Sequence, residues 1–391
     1  MVDFDLISAN LPAMNQESAE KRKAFKEYFD AEAAARLADQ FGAAWPSFDA
    51  KAFCLQATTG LDTLEFNARV KQFSDALAAT LPRDRKRALA ILTRSLPPVL
   101  PDTEAITDGW LQWPLGQFIA DHGLPHLEES MEAMIALTMR FSSEFAVRPF
   151  IDAYPEHIYP RLYTLTRHPN LHVRRWCSEG SRPRLPWGKK LTAIINDPSP
   201  SWPILEALMD DPELYVRKSV ANHLNDIAKD HSDKVITACR RWKKQATPER
   251  QWVIRHGLRS LIKAGNPHAL ALLGFANGSG LTAKLNVQPR TISIGKSITL
   301  EAEVTNQTKA PCRALIDYVI HFARPSGKPS SKVFKWTQVE VPARNRLAIV
   351  KKHQLRHASI RTLYPGRHRA ELQVNGQRLA QAEWMLNEAD A

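Results

Sequence analysis

A motif that recurs at a spacing of 43 residues constrains the fold of this chain more than any other feature. His168-Pro-Asn-Leu-His-Val-Arg-Arg175 aligns with Asp211-Pro-Glu-Leu-Tyr-Val-Arg-Lys218, and a looser copy runs from Thr247 to Arg255. Helical repeats of about 40 residues are typical of HEAT and armadillo solenoids, which stack helix pairs around a concave binding face. We therefore predict an all-α, HEAT-like repeat solenoid here.

The chain around this motif has a helical pattern from residue 17 to about residue 277. Apolar residues recur every fourth position between Glu17 and Phe41, and Leu61–Ala78 and Arg83–Leu92 continue in the same style. Prolines lie near several expected helix starts, where a missing N–H costs little, at Pro155, Pro169, Pro212 and Pro248. The alternative is a common helix start met three times by chance, but the helical character of the whole region favours repeats.

The pattern changes near Gly274. Asn277–Gly280 is typical of a flexible joint, and beyond it apolar residues alternate at period two. Predicted strands lie around Ile292–Ile294 and at Ile298–Val304, Ala314–Phe322, Val333–Val341, Leu347–His353 and Arg369–Val374. Six or seven short strands predict an all-β, immunoglobulin-like sandwich. We place the helical domain at residues 1–276, a linker at 277–282 and the sandwich at 283–391.

Length and composition agree with a globular, multidomain protein. A chain of 391 residues exceeds one ordinary core, and 44% hydrophobic residues exclude a disordered chain. No apolar stretch approaches the roughly 20 residues that span a bilayer, and the N-terminus lacks the features of a secretory signal. Scattered cysteines indicate reduced thiols, so we expect a cytoplasmic location; they are Cys54, Cys177, Cys239 and Cys312.

The net charge of +12 is unevenly distributed. Residues 1–140 carry a net charge of −6, residues 141–280 carry +8 and residues 281–391 carry +10. A basic surface of this size attracts polyanions, of which nucleic acid is the commonest, although solubility alone is the alternative.

Three acidic residues stand out within the basic middle of the chain. Glu179 follows Arg175 by four residues, Asp226 follows Asn222 by four, and Glu144 precedes both. Glu179 aligns with Asn222 in the repeat, so these acids lie on corresponding helices and can meet in one concave cleft. There, cations hold a phosphate backbone, while carboxylates stabilise a developing sugar cation and position water. Ordinary helix salt bridges are the alternative.

Basic and aromatic residues around these acids and in the basic C-terminal region are the candidate nucleic-acid contacts. Trp187 lies in a loop, whereas Trp176 fits a core position. Arg344–Arg369 contains eight Lys/Arg residues and no acid, which favours phosphate contact over a solvated sheet face. The candidates are Arg148, Arg174, Arg175, Arg182, Arg184, Trp187, Arg217, Lys218, Asn222, His223, Arg255, Lys351, Lys352 and Arg361.

The sequence contains no motif for metal, nucleotide or acyl-transfer chemistry. The histidines of the middle region lack metal-binding spacing, and no cysteine pair assists them. Phosphate-binding glycine loops and a GxSxG elbow are absent. We expect neither a metal nor another cofactor.

Four long runs resemble the AlkC branch of the bacterial HEAT-like-repeat DNA alkylation-repair glycosylases, whose sister branch is AlkD. The resemblance covers roughly residues 15–275 and is carried by WPLGQFIADHG, RFSSEFAVRPFI, HPNLHVRRWCSEGSRPRLPW and DDPELYVRKSVANHLNDIAKDH. Some members of this branch carry a C-terminal immunoglobulin-like domain, which residues 281–388 match.

The resemblance implies a bacterial DNA glycosylase of base excision repair. Such an enzyme hydrolyses the N-glycosidic bond of cationic N-methylated bases, chiefly 3-methyladenine and 3-methylcytosine, in duplex DNA, without ordinary base flipping. The resemblance also implies active-site roles for Glu144 of SSEFAVRPF, Glu179 of CSEGSRPR and Asp226 of NHLNDIAKDH.

A cationic base is already a good leaving group, so the remaining task is to stabilise the sugar cation and guide water. We see no obvious lysine nucleophile in these motifs, which favours a monofunctional enzyme, and we expect a monomer. The alternative is a non-catalytic repeat scaffold that binds damaged DNA or a protein partner.

Overall fold

The computed structural model describes residues 24–101, 103, 109–275, 280–357 and 361–389. The chain divides into two compact units, Met1–Asp230 and His231–Ala391. The domain limits 1–276, 277–282 and 283–391 remain a prediction; residues 276–279 of the joint lie outside the described residues, and the first strand begins at Leu281. Among the described residues, no helix is long and apolar enough to cross a membrane.

Sixteen α-helices lie among the described residues that precede the joint. They are α1 (Ala31–Ala44), α2 (Ala50–Thr58), α3 (Phe66–Thr80), α4 (Arg85–Ser95), α5 (Trp113–His122), α6 (Leu127–Thr138), α7 (Arg148–Ala153), α8 (Pro155–Leu165), α9 (Leu171–Gly180), α10 (Thr192–Asn196), α11 (Trp202–Leu208), α12 (Leu214–Ile227), α13 (Ser232–Lys243), α14 (Pro248–Gly257), α15 (Arg259–Lys263) and α16 (Pro267–Leu272). The prediction of a helical N-terminal region is confirmed.

Capping residues set where the first helices begin. The predicted helix from Glu17 to Phe41 is not continuous: residues 17–23 lie outside the described residues, and a 3-10 turn occupies Phe25–Tyr28. α1 then begins at Ala31, because the Asp30 carboxylate accepts a hydrogen bond from the Ala33 amide at 3.0 Å.

The 43-residue repeat has a structural counterpart in α9 and α12, which begin at Leu171 and Leu214. The repeated arginine makes the same bonds in both copies. Arg174 Nη1 donates to the carbonyls of His168 and Pro169 at 3.1 and 2.9 Å. At the same offsets, Arg217 Nη1 donates to the Asp211 and Pro212 carbonyls at 2.6 and 2.8 Å. The motif therefore encodes a turn that is stabilised by the same arginine-to-carbonyl hydrogen bonds in both copies.

The second unit contains α13–α16 and eight strands among its described residues. They are β1 (Leu281–Gln288), β2 (Thr291–Ser293), β3 (Ser297–Asn306), β4 (Cys312–Phe322), β5 (Ser330–Val341), β6 (Arg346–Gln354), β7 (Gly366–Val374) and β8 (Gln377–Asn387). β1 and β8 were absent from the predicted strands.

The strands form two sheets with the orders β1-β3-β6 and β2-β8-β7-β4-β5. All pairs are antiparallel except β2 with β8. Buried residues of both sheets form two core clusters between them, one with Leu300 of β3, Ile320 of β4 and Trp384 of β8, the other with Val304 of β3 and Leu372 of β7. The predicted all-β sandwich is confirmed.

The folded sandwich corrects one inference about charge. Arg344–Arg369 contains no acid of its own, but acids of β3, β7 and β8 pair with some of its cations. Arg346 pairs with Glu303 at 3.5 Å, Arg367 with Glu383 at 3.4 Å and Arg369 with Glu371 at 3.1 Å. Three of the eight cations are therefore compensated: strand pairing supplies the acids for Arg346 and Arg367, and Glu371 follows Arg369 by two residues on β7.

Candidate active site

Three structural elements of the first unit position the acids. Glu144 lies in the turn before α7, Glu179 in the last turn of α9 and Asp226 in the last turn of α12. α9 and α12 pack together, and His223 of α12 bonds the Ser178 carbonyl through Nδ1 at 3.0 Å. We call Glu144, Glu179 and Asp226 the acid set.

Arg182 connects two members of the acid set. Its Nη1 contacts Glu179 Oε1 at 2.6 Å, and its Nη2 contacts Asp226 Oδ2 at 2.9 Å. The Nε of Arg182 also donates to Asp226 Oδ2 at 2.9 Å. The carboxylates of corresponding repeat helices therefore meet through one buried guanidinium, as the repeat register predicted for their helices.

Arg175 connects the third acid to the same network. Its Nη1 donates to Glu144 Oε2 at 2.5 Å, and its Nη2 lies 3.7 Å from Glu179 Oε1. The Arg175 guanidinium also lies over the Tyr215 ring, 4.9 Å from its centroid. Arg175 and Arg182 thus connect the whole acid set, which orders it around two fixed cations.

Nearby cations keep Glu179 ionised despite its burial. Burial alone would raise the pKa of Glu179, but the charges of Arg182 and Arg175 and the hydrogen bond from Ser219 outweigh it and lower the pKa. Ser219 Oγ donates to Glu179 Oε2 at 2.6 Å. Both oxygens of this carboxylate are therefore occupied, and the group is a fixed anion.

Asp226 is held in a similar way, whereas Glu144 is more open. Lys229 Nζ contacts Asp226 Oδ1 at 2.9 Å, so both Asp226 oxygens face cations. Glu144 Oε2 accepts from Ser142 and Arg175, while its Oε1 has no partner among the described residues. The Glu144 side chain is 14% exposed, compared with 4% for Asp226. Glu144 is thus the acid with an oxygen available to a ligand.

Trp187 is the exposed aromatic residue closest in sequence to this network. Its side chain is 53% exposed, and its φ of 64° lies in the left-handed region. The ring lies 6.1 Å from that of Phe66 and 6.5 Å from that of Trp113, which in turn stacks on Phe145 at 5.3 Å. Since Phe145 follows Glu144, this aromatic cluster extends from the acid set to the exposed Trp187. Trp176 is fully buried, as predicted.

The structure encloses three of the predicted DNA contacts, of which Arg182 is 6% exposed and is bonded to Glu179 and Asp226. Arg148 and His223 are 1% and 0% exposed, so burial places both out of reach of a phosphate. Arg148 donates to three backbone carbonyls, and burial lowers the pKa of His223 to about 3. All three are corrections to the sequence-based interpretation, which could not distinguish interior polar groups from surface ones.

Other candidates have structural partners but remain partly accessible. Arg174 pairs with Asp211 at 2.7 Å, and Arg184 pairs with Asp230, with Nη2 and Oδ1 2.9 Å apart. Arg217 donates hydrogen bonds to two carbonyls of the turn before its own helix. The side chains of Lys218, Asn222 and Lys351 are half-buried.

Two candidates of the second unit also make contacts. Arg255 is exposed and donates to Gln338 at 3.0 Å. Arg361 is half-buried with its guanidinium 4.4 Å from the Phe322 ring centroid, and Lys352 is exposed.

Sequence reasoning missed three members of the network, Ser142, Ser219 and Lys229. Lys229 lies three residues after Asp226, a helical spacing that could have identified it. Its amine lies beside Asp226 in NHLNDIAKDH, one of the motifs that were expected to contain no obvious lysine nucleophile. Ser219 gave no signal, since its contact with Glu179 spans 40 residues. In the described part of the chain, no three His, Cys, Asp or Glu side chains group as a metal site.

Comparisons with known proteins agree with this architecture. A family model described as "DNA alkylation repair enzyme" matches residues 136–261, which include the acid set. A second model, described as the C-terminal Ig-like domain of YhaZ, matches residues 281–388. The predicted immunoglobulin-like type of the sandwich is thereby confirmed.

Two full-length relatives extend these matches. The Bacillus subtilis protein YhaZ, described as uncharacterized, is 35% identical over 361 residues, covering 90% of this chain and 96% of YhaZ. The structure of Pseudomonas fluorescens alkylpurine DNA glycosylase AlkC, bound to DNA containing an abasic site analog, matches with a TM-score of 0.84 and 34% identity. That match covers 93% of this chain and all of the AlkC chain. The chain therefore belongs to the AlkC branch of the HEAT-like-repeat DNA alkylation-repair family, in the form that carries a C-terminal immunoglobulin-like domain.

Proposed function

We propose that this protein is a DNA glycosylase that hydrolyses the N-glycosidic bond of cationic N-alkylated bases in duplex DNA. The proposed substrates include 3-methyladenine and 3-methylcytosine, and the proposed active unit is a monomer. The observation that carries the proposal is the acid set, three carboxylates from three elements joined by Arg175 and Arg182. Family membership supplies the reaction class.

The charge of the lesion defines what the site has to do. When the glycosidic bond breaks, its electron pair neutralises the alkylated base, which leaves without needing a proton. Positive charge then develops on the sugar, and water adds to the anomeric carbon with loss of a proton. The enzyme must therefore supply fixed negative charge and a proton acceptor.

The contacts of the acid set suggest a division of roles. Glu179 and Asp226 have both oxygens bonded, so they serve as oriented anions that stabilise the sugar cation. Glu144 Oε1 has no partner among the described residues, so it holds the attacking water and accepts its proton. Arg175 fixes the Glu144 carboxylate by bonding its other oxygen.

Trp187 and accessible cations make up the proposed DNA contacts. Trp187 combines high exposure with an aromatic face, which suits packing against a sugar or base. Arg184 and Arg255 retain accessible guanidinium groups, and Lys352 of β6 is exposed. Contacts to phosphates would bind the duplex without reading its sequence.

The direct test is single-turnover release of bases from duplex oligonucleotides that contain 3-methyladenine, 3-methylcytosine or 7-methylguanine. We expect release of 3-methyladenine and 3-methylcytosine by the native chain. Glu144→Gln should slow release by about 100- to 1,000-fold, the usual effect of removing one preorganised electrostatic group. Glu128→Gln is the matched control, because Glu128 is an exposed acid that pairs with Arg161 outside this network.

The same assay distinguishes the non-catalytic alternative. A scaffold would bind DNA that contains an abasic site or a lesion, with affinity falling steeply as salt rises, but would release none of the three bases. Full activity of both Glu144→Gln and the double variant Glu179→Gln, Asp226→Asn would refute the site assignment.

A further inference from the structure

Arg148 is the charged side chain that the first unit buries most completely, with 1% exposure. It begins α7, four residues after Glu144, but does not bond that acid. Asp152, the acid one turn along α7, pairs instead with Lys189 at 2.8 Å. The hydrogen bonds that Arg148 makes through Nε and Nη1 all go to backbone carbonyls, whereas its buried Nη2 has no hydrogen-bond partner among the described residues.

Those carbonyls lie at the two ends of one loop, residues 181–191, which connects α9 to α10. At one end Arg148 Nη1 donates to the carbonyls of Gly180 and Arg182 at 2.8 and 2.9 Å. At the other end its Nε donates to the Lys189 carbonyl at 2.6 Å. A single planar guanidinium therefore holds both ends of the 181–191 loop.

This loop carries two residues of the candidate site. Arg182 joins Glu179 to Asp226, and Trp187 supplies the exposed aromatic ring. Trp187 adopts a φ of 64°, which is strained for a bulky side chain and persists only where neighbouring structure imposes it. The loop conformation thus needs support from outside the loop.

Close packing shows that Arg148 gives that support. A Cβ placed on Gly188 would lie 3.4 Å from Arg148 Cδ and 3.2 Å from Leu185 Cδ2, so the loop backbone rests on the arginine stem. A Cβ on Gly180 would lie 2.6 Å from Val147 Cγ1, so the end of α9 and the start of α7 also touch. Arginine suits this position because its rigid fork presents several donors in one plane, whereas lysine presents a single flexible ammonium.

We propose that Arg148 is a positioning residue that imposes the strained conformation of the 181–191 loop and thereby fixes Arg182 and Trp187. This inference rests on the proposed glycosylase function, because the positioned groups belong to that site. It replaces the phosphate contact that the sequence suggested for Arg148 with an interior role.

Two variants test the proposal in the full chain. Arg148→Met removes all three hydrogen bonds to the loop, and Arg148→Lys keeps the charge without the fork. We expect each to slow single-turnover release of 3-methyladenine by about 10- to 100-fold, the usual effect of a misplacement of about 1 Å. A rate for Arg148→Lys equal to that of the native chain would overturn the proposal. If Arg148→Met does not fold, Arg148→Lys alone carries the test.

A double-mutant cycle separates positioning from loss of stability. In a Trp187→Ala background, Arg148→Lys should slow release less than it does in the native background, because part of its effect acts through Trp187. Independent, multiplicative effects would contradict the proposal. Leu89→Ala, a cavity variant in α4, is the stability control: it should lower the melting temperature and leave release unchanged.

Hydrogen exchange gives a readout that does not depend on activity. The Gly188 and Leu191 amides donate to the Leu185 and Pro183 carbonyls, both at 3.1 Å. We expect faster exchange of these two amides in Arg148→Lys, and unchanged exchange would overturn the proposal. If the native chain releases no base, the glycosylase function fails, while the exchange result still decides the role of Arg148 in holding the loop.

Discussion

Arg182 is the cation on which the acid set depends most, because it bonds two of the three carboxylates. Replacing it with methionine keeps an unbranched side chain but removes the charge and every donor. Glu179 and Asp226, whose side chains are 7% and 4% exposed, would then lack the guanidinium that joins them. Arg182→Met therefore tests directly whether these buried charges stabilise one another.

The size of the effect follows from the contacts that remain. Removing one partner of a buried ion pair costs about 3–5 kcal/mol, because the other charge stays buried without compensation. Ser219 and Lys229 still bond one oxygen each of Glu179 and Asp226. We expect the free energy of unfolding to fall by about 3 kcal/mol at pH 8, the lower end of that range.

The loss should depend on pH in a defined direction. In the native chain, burial raises the pKa of Glu179, but Arg182 and Arg175 outweigh burial and hold the pKa below its ordinary value of 4.5. The stability that this group contributes is present above its unfolded-state pKa and is lost only as pH falls through the folded-state pKa. The contribution of Glu179 to the stability of the native chain is therefore constant between pH 5 and pH 8.

Arg182 is the first of the groups that lower the pKa of Glu179, so we expect burial to outweigh Arg175 and Ser219 in Arg182→Met and to raise this pKa above its unfolded-state value. The folded variant then binds a proton that the unfolded chain releases, so its stability increases as pH falls from 8 to 5. Each unit by which the folded-state pKa exceeds the unfolded-state pKa corresponds to about 1.4 kcal/mol. The deficit of Arg182→Met should thus be larger at pH 8 than at pH 5.

Urea unfolding of the full chain at pH 5 and pH 8, followed by circular dichroism, measures both quantities. Arg161→Met is the control, since Arg161 pairs with the exposed Glu128 and should cost at most about 1 kcal/mol at either pH. An equal loss of unfolding free energy in Arg182→Met at the two pH values, or no loss at all, would refute the conclusion that Arg182 stabilises the buried Glu179 and Asp226 carboxylates.

Three further predictions concern neighbouring groups. Ser219→Ala leaves Glu179 Oε2 without its donor and should lower unfolding free energy by about 1–3 kcal/mol in urea titrations; no loss would contradict the bond. Burial lowers the pKa of His223 to about 3, so native stability should decline as pH falls from about 6.5 toward 3, and His223→Leu should flatten that part of the profile in thermal scans. Trp187→Gly removes the exposed ring, so it should weaken binding to abasic-site DNA in polarisation assays. Because glycine also relieves the left-handed φ, the melting temperature should not fall.

The sequence predicted the architecture because repeat periodicity and strand alternation are local signals. The 43-residue spacing identified α9 and α12 as equivalent helices of the repeat. The structure adds the physical basis, because Arg174 and Arg217 donate equivalent hydrogen bonds to the carbonyls of the preceding turns. β1 and β8 escaped prediction, although apolar residues alternate along β1 from Leu281 to Val287 and Trp384 of β8 lies in the core.

The site was less predictable, because its bonds connect residues that are distant in sequence. Glu144 and Arg148 are four residues apart, the spacing of one helical turn, but α7 begins at Arg148 and leaves Glu144 in the preceding turn. Glu144 instead bonds Arg175, a contact across 31 residues. The sequence selected the charged residues around the site, but only the fold determines which of them bond to one another.

Binding DNA and stabilising a cation place opposite demands on one surface, since phosphates require positive charge and the sugar cation requires negative charge. The acid set reconciles them locally, because three carboxylates are matched by Arg175, Arg182 and Lys229. Such a network carries no net charge when every member is ionised, so it does not repel a phosphate backbone at a distance. At short range, the effect of this network on a cationic lesion depends on which carboxylate oxygens have no cation or hydrogen-bond donor beside them. The open Oε1 of Glu144 therefore matters more for chemistry than the number of acids, and selectivity for charged lesions should depend on its orientation.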